Sequence, residues 1–162
     1  MDCYWFRYIY PKNLLLFDNQ KLIAPEISRR GNFAFDKNGD FYSTTKAYGY
    51  IKKEEILESY EFWLGLLNSQ LFWFFIQNTG YVLRGGYYTF KTNYIQPFPV
   101  PANISKQIHE KIVFLVNDII NIKNKSIEYK IITQEKEIDS LIYSLYNLSN
   151  EEIEFIDNFN HK

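Results

Sequence analysis

The stretch from Leu83 to Pro101, LRGGYYTFKTNYIQPFPVP, gathers an arginine, two glycines, five aromatics and three prolines. Arginine carries a planar fork of donors that matches guanine edges and phosphate oxygens. In Arg84-Gly85-Gly86 that fork sits on a backbone free to approach a ligand closely. Tyr87, Tyr88 and Phe90 add flat faces, and Thr89, Lys91, Thr92 and Asn93 add hydrogen-bonding groups. Such a mixture suits a surface that stacks on bases and positions phosphates. It equally suits a glycine-permitted turn leading into a half-buried strand, so the neighbouring segments must decide.

A second group of candidates lies upstream: Arg29, Arg30 and Asn32, then Lys37 and Asn38, then Lys46. Arginine and lysine can bond guanine O6 and N7, asparagine can bond adenine N6 and N7, and any of them can hold phosphates. Acid chemistry is poorly supported. Glu54, Glu55, Glu58 and Glu61 have helical spacing and read as a solvated helix face, as do Glu135, Glu137 and Asp139. Asp36 and Asp40 flank Lys37-Asn38-Gly39 and are explained by turn chemistry. His109 and His161 lack ligand spacing, and the sequence contains no CxxC, no HExxH and no phosphate-cradling glycine signature. No complete catalytic set can be assembled from these residues, and a metal site is not expected.

Elements must position these groups. From Tyr4 to Tyr50 the segments YWFRYIY, KLIAPEI, NFAFD and DFYSTT predict strands separated by turns. Asn38-Gly39 predicts a tight hairpin joining NFAFD to DFYSTT, with Phe33 and Phe35 on one face and Asn32, Ala34 and Asp36 on the other. Between Glu54 and Asn78 the apolar period becomes helical, through Phe62, Leu66, Leu67, Leu71, Phe74 and Phe75. Asn68-Ser69 predicts the end of one helix and the cap of the next, with Trp63, Phe72 and Trp73 in the core. Pro97, Pro99 and Pro101 break any ladder, leaving Tyr94 and Phe98 as framework. A long amphipathic helix follows from Ile104 to about Tyr129, then another from Gln134 to Leu148. Ser149 and Glu152 then form a capping box. The expected fold class is α+β: a twisted, mainly antiparallel sheet packed on helices, then a helical tail. Residues 1–101 form the reading lobe and 102–162 the tail or spacer.

With 162 residues, 46% hydrophobic and 19% aromatic, the chain can bury a real core. Net charge is −1, but residues 1–101 hold eleven Lys and Arg against nine Asp and Glu, whereas residues 102–162 hold seven against ten. All four arginines fall in the first part. The lone Cys3 excludes an internal disulfide and points to a reducing, cytoplasmic compartment. The most apolar run, Phe62 to Ile76, is interrupted by Asn68, Ser69 and Gln70, which argues against a membrane span.

Three blocks in order, KLIAPEISRRGNFAFDKNGDFYSTT, LGLLNSQLFWFFIQNTGYVLRGGYYTFKTNYIQPFPVP and EIDSLIYSLYNLSNEEIEFI, resemble the TaqI-like C-terminal specificity domain of restriction and modification enzymes. The resemblance covers most of the chain. It implies sequence-specific recognition of double-stranded DNA on behalf of an adenine-N6 methyltransferase, often one fused to a nuclease. The family's Asn-Pro-Pro-(Tyr/Phe) motif, which holds the flipped adenine, does not occur here. S-adenosylmethionine, and magnesium where the enzyme also cleaves, are therefore implied only for methyltransferase and nuclease domains absent from this sequence. The start at Met1, directly before the aromatic stretch at Tyr4, is expected of an excised or truncated piece. Two other arrangements stay open: half of a type I specificity subunit, with the long helix as spacer, or a protein-interaction module that binds no DNA alone.

Overall fold

The computed structural model describes residues 13–43, 46–125 and 131–160. The strand expected at Tyr4–Tyr10 lies outside them. The fold is α+β, with six α-helices and two small antiparallel sheets among the described residues.

Lys21–Pro25 (β1) is the centre of the first sheet. Ala34–Asp36 (β3) pairs with it in the register Lys21 to Asp36, and Ala47–Tyr50 (β4) in the register Leu22 to Tyr50. Ile27–Ser28 (β2) continues the same extended segment into a second sheet. There it pairs with Tyr87–Thr89 (β6), which also pairs with Val82–Leu83 (β5). Glu26 joins the two sheets: its N–H donates to the Lys46 carbonyl and its carbonyl accepts from the Phe90 N–H, both at 2.8 Å.

The hairpin expected between residues 32–36 and 40–45 is not seen among the described residues. The Asp36 carboxylate accepts from the N–H groups of Gly39, Asp40 and Phe41, each at 3.0 Å, and closes a turn. Residues 40–43 then leave without forming a strand. The partner of β3 is instead β1. Asp36 itself is not on a free face. It is buried against Lys21, which is also buried, with Nζ to Oδ2 at 2.5 Å. Burial alone would raise the Asp36 pKa, but Lys21 and the N–H groups of Phe41 and Asp40 outweigh it and hold the carboxyl below its ordinary range.

Helices begin later than the acidic run suggests. Tyr60–Leu67 (α1) starts at the Ser59 cap, so Glu54, Glu55 and Glu58 occupy the preceding turn and only Glu61 is helical. Gln70–Thr79 (α2) follows directly, with Ser69 Oγ accepting from the Phe72 N–H. Asn68, between them, donates to the Phe33 carbonyl at 3.0 Å and accepts from the Phe33 N–H at 2.9 Å. Its amide imitates a neighbouring strand and fixes β3 to the helix pair. Gly31 makes the approach possible, because a Cβ there would lie 2.9 Å from the Leu67 carbonyl oxygen.

After the short helix Thr92–Ile95 (α3), Lys106–Asn124 (α4), Ile132–Leu145 (α5) and Asn150–Asn160 (α6) complete the fold. The expected capping box is present: Ser149 N–H donates to Glu152 Oε2 at 2.8 Å, and Glu152 N–H to Ser149 Oγ at 3.3 Å. Ile112, Leu115 and Val116 of α4, Ile138, Ile142 and Tyr143 of α5, and Ile156 of α6 are buried with Phe62, Leu66, Phe72 and Ile76 of α1 and α2. Gly65 lets α4 approach α1, since a Cβ there would meet Ile112 at 2.9 Å. Asp139 of α5 accepts from the Gln70 N–H at 2.8 Å, placing a carboxyl at the start of α2. Among the described residues no helix is long and apolar enough to cross a membrane.

Candidate nucleic-acid interface

Alternation along β6 decides which side chains face out. Tyr88 packs edge-on against Trp73 with centroids 5.2 Å apart, and Phe90 lies parallel to Trp73 at 6.4 Å and is fully buried. Tyr88 and Phe90 therefore belong to the core face, and Tyr87 and Thr89 turn to the other side. Opposite them stand Leu83 and Ile27. The outer face of this small sheet is thus built from Ile27, Leu83, Tyr87 and Thr89.

Both ends of the face carry cations. Arg29, two residues beyond Ile27, stacks its guanidinium over the Tyr87 ring at 4.5 Å from the centroid. The Arg84–Gly86 turn between β5 and β6 lies beside it: a Cβ built on Gly85 would sit 3.7 Å from Arg29 Nη2. Gly85 and Gly86 adopt φ of 86° and 74°, the left-handed region that side chains other than glycine rarely enter. Arg84 is exposed on this turn. Arg29, Arg30 and Arg84 enter no ion pair among the described residues, so their charge is free for an anion.

At the opposite end, Lys91 lies 3.6 Å from the Glu26 carboxylate and caps α3, whose first turn exposes Thr92 and Asn93. Burial first, and then the Glu26 carboxylate, push the Tyr48 phenol above its ordinary pKa. Lys46 is exposed next to Glu26 through the backbone bond described above.

Sequence-derived candidates therefore fall in several places. Arg29, Arg84, Tyr87, Thr89, Lys91, Thr92 and Asn93 surround the outer face of the second sheet, and Lys46 borders it. Arg30 is exposed in the turn after β2, and the Asn32 amide is held by Ser28 Oγ at 2.8 Å. Tyr88 faces the core. Lys37 and Asn38 lie at the far end of the first sheet, beside Lys21. The five residues of β1 separate them from Glu26, roughly 16 Å at strand rise. Sequence reasoning passed over Tyr81, Leu83 and Ile27, the last of which pairs with Thr89 far along the chain. It also passed over Glu26.

Among the described residues no group of three His, Cys, Asp or Glu could hold a metal ion. The arrangement offers stacking faces, guanidinium groups without an ion-pair partner among the described residues, and an apolar floor.

The chain belongs to the family of TaqI-like C-terminal specificity domains, whose model matches residues 4–100. Among curated proteins it is similar to the type II methyltransferase M.HindII of Haemophilus influenzae, 28% identical over 139 residues. That match covers 79% of this chain and 26% of the relative, so the chain spans about a quarter of the relative's length.

Proposed function

We propose that this chain is the double-stranded-DNA target-recognition part of a type II restriction–modification enzyme. It positions the duplex for adenine-N6 methylation by a methyltransferase domain outside this sequence. Residues 1–101 carry the recognition and residues 102–162 brace it from behind. The observation that supports this reading best is the outer face of the second sheet, where Arg29 stacks on the exposed Tyr87 beside the turn that carries Arg84, neither arginine in an ion pair among the described residues. Cations of this kind supply the salt-sensitive grip on phosphates, and the polar groups between them supply base contacts. Methyl transfer, S-adenosylmethionine binding and any cleavage belong to the remaining three-quarters of a protein such as the relative.

Selection from a randomised duplex pool tests the proposal. The chain is expected to enrich one short motif over successive rounds. Recovery of an unenriched pool would contradict sequence recognition, and failure to retain any duplex at low salt would contradict DNA binding altogether.

A further inference from the structure

The second sheet borders an open cleft of about 440 Å³, and one residue of its wall carries the wrong charge for a surface that grips DNA. Among the described residues lining the cleft, Glu26 is the only acid. A carboxylate facing phosphates repels them, so on such a surface it weakens binding unless a donor group meets it. Its place is firmly held. The Glu26 backbone is bonded on both sides, to Lys46 and to Phe90, each at 2.8 Å, which fixes the residue at the junction of the two sheets. Its side chain is 20% exposed, against 54% for Lys91, whose Nζ lies 3.6 Å from Glu26 Oε1. That separation exceeds hydrogen-bond length, and a carboxylate accepts at about four positions. Glu26 therefore keeps acceptor capacity, and Lys91 keeps donors, for a third group.

Resting on the DNA-recognition reading above, we propose that Glu26 and Lys91 together read one C·G base pair in the major groove. Cytosine presents only a donor there, its N4 amino group, whereas adenine sets its N6 donor beside the N7 acceptor, which a carboxylate repels. Guanine presents two acceptors, O6 and N7. Within the pair, cytosine N4 is bonded to guanine O6, so a donor and an acceptor lie side by side on the edge. An acceptor held next to a cation matches that edge: Glu26 accepts from N4, and Lys91 donates to O6 or N7. Ile27 and Leu83 make the neighbouring part of the cleft apolar, where such contacts are stronger than in open water.

Selection from a randomised duplex pool by the full chain and by two variants tests this pairing, since no motif need be known beforehand. The parent is expected to enrich a motif with a fixed C·G pair, at which any other pair weakens binding roughly tenfold or more. Glu26→Ala is expected to keep the rest of the motif and lose the preference at that position. Its affinity for random duplex is expected to stay level or rise, because a negative charge is gone. Glu26→Gln, close in shape, sets a donor beside the acceptor and is expected to shift the same position towards A·T, the pair that an amide reads. Three results would overturn the role of Glu26 and leave target recognition standing: one motif shared by the parent and both variants, a change confined to a pair other than C·G, or a loss of affinity uniform across all sequences. An unenriched pool from the parent would overturn both.

Discussion

Asn68 uses both ends of its side-chain amide on the backbone of Phe33, beside the ring contacts of Phe33 with Phe72 and of Phe35 with Tyr60. Truncation leaves a donor and an acceptor without partners, each costing about 1–3 kcal/mol. Asn68→Ala is therefore expected to lower unfolding stability by about 2–4 kcal/mol in urea titration. Asn68→Asp, which keeps only the acceptor, should fall between it and the parent. Lys21 presents a similar case. Removing its charge in Lys21→Met leaves Asp36 buried beside nothing but backbone N–H groups, and loss of one partner of a buried pair costs roughly 3–5 kcal/mol. The cap at Ser69 was legible from the Asn-Ser step alone, because capping is local chemistry. The bond from Asn68 to Phe33 was not, since its partner is 35 residues away. Lys91 could be named from sequence as a cation near tyrosines. That it stands beside Glu26 depends on how β2 and β6 pair.

Among the elements, the junction of α2 with α5 responds to pH. Burial first, and then the nearby Asp157 and Glu135, push the Asp139 carboxyl up to about 7, although the Gln70 N–H pulls the other way. The unfolded value is 3.8, so the folded state holds the proton more tightly. This contribution to stability is complete below the unfolded value and is lost as pH rises towards 7. Asp139→Asn retains an acceptor for Gln70 without the charge. The variant is expected to melt with the parent at about pH 3.5 and above it at about pH 8. Lower melting at both values would show that the carboxylate is the favoured cap. The turn at residues 36–40 is the element that local signals misjudged. Asn38-Gly39 favours a hairpin, and a bend does occur there. Yet Asp36 engages three successive N–H groups while Lys21 anchors it to β1, and these bonds direct the chain away from its neighbour. Long-range pairing, not turn propensity, set the partner of β3.

Across the whole molecule, a helical scaffold holds a small sheet whose inner side is aromatic core and whose outer side is cationic at its edges. The scaffold's helices were readable from their apolar period and caps. The split into two sheets at Glu26 was not, because one extended segment reads the same whether it serves one sheet or two. That split matters for binding, since it separates Arg29 and Arg84 from Lys37 and Asn38. The central claim is that DNA meets the second sheet. It is tested most directly by the salt dependence of duplex affinity, measured by fluorescence anisotropy between about 50 and 200 mM salt. Each phosphate-contacting cation contributes about 0.9 to the logarithmic slope. The account predicts that Arg29→Ala combined with Arg84→Ala flattens the slope by about 2, whereas Lys37→Ala leaves it as in the parent chain. An unchanged slope in the double variant, or an equal loss on replacing Lys37, would place the DNA elsewhere.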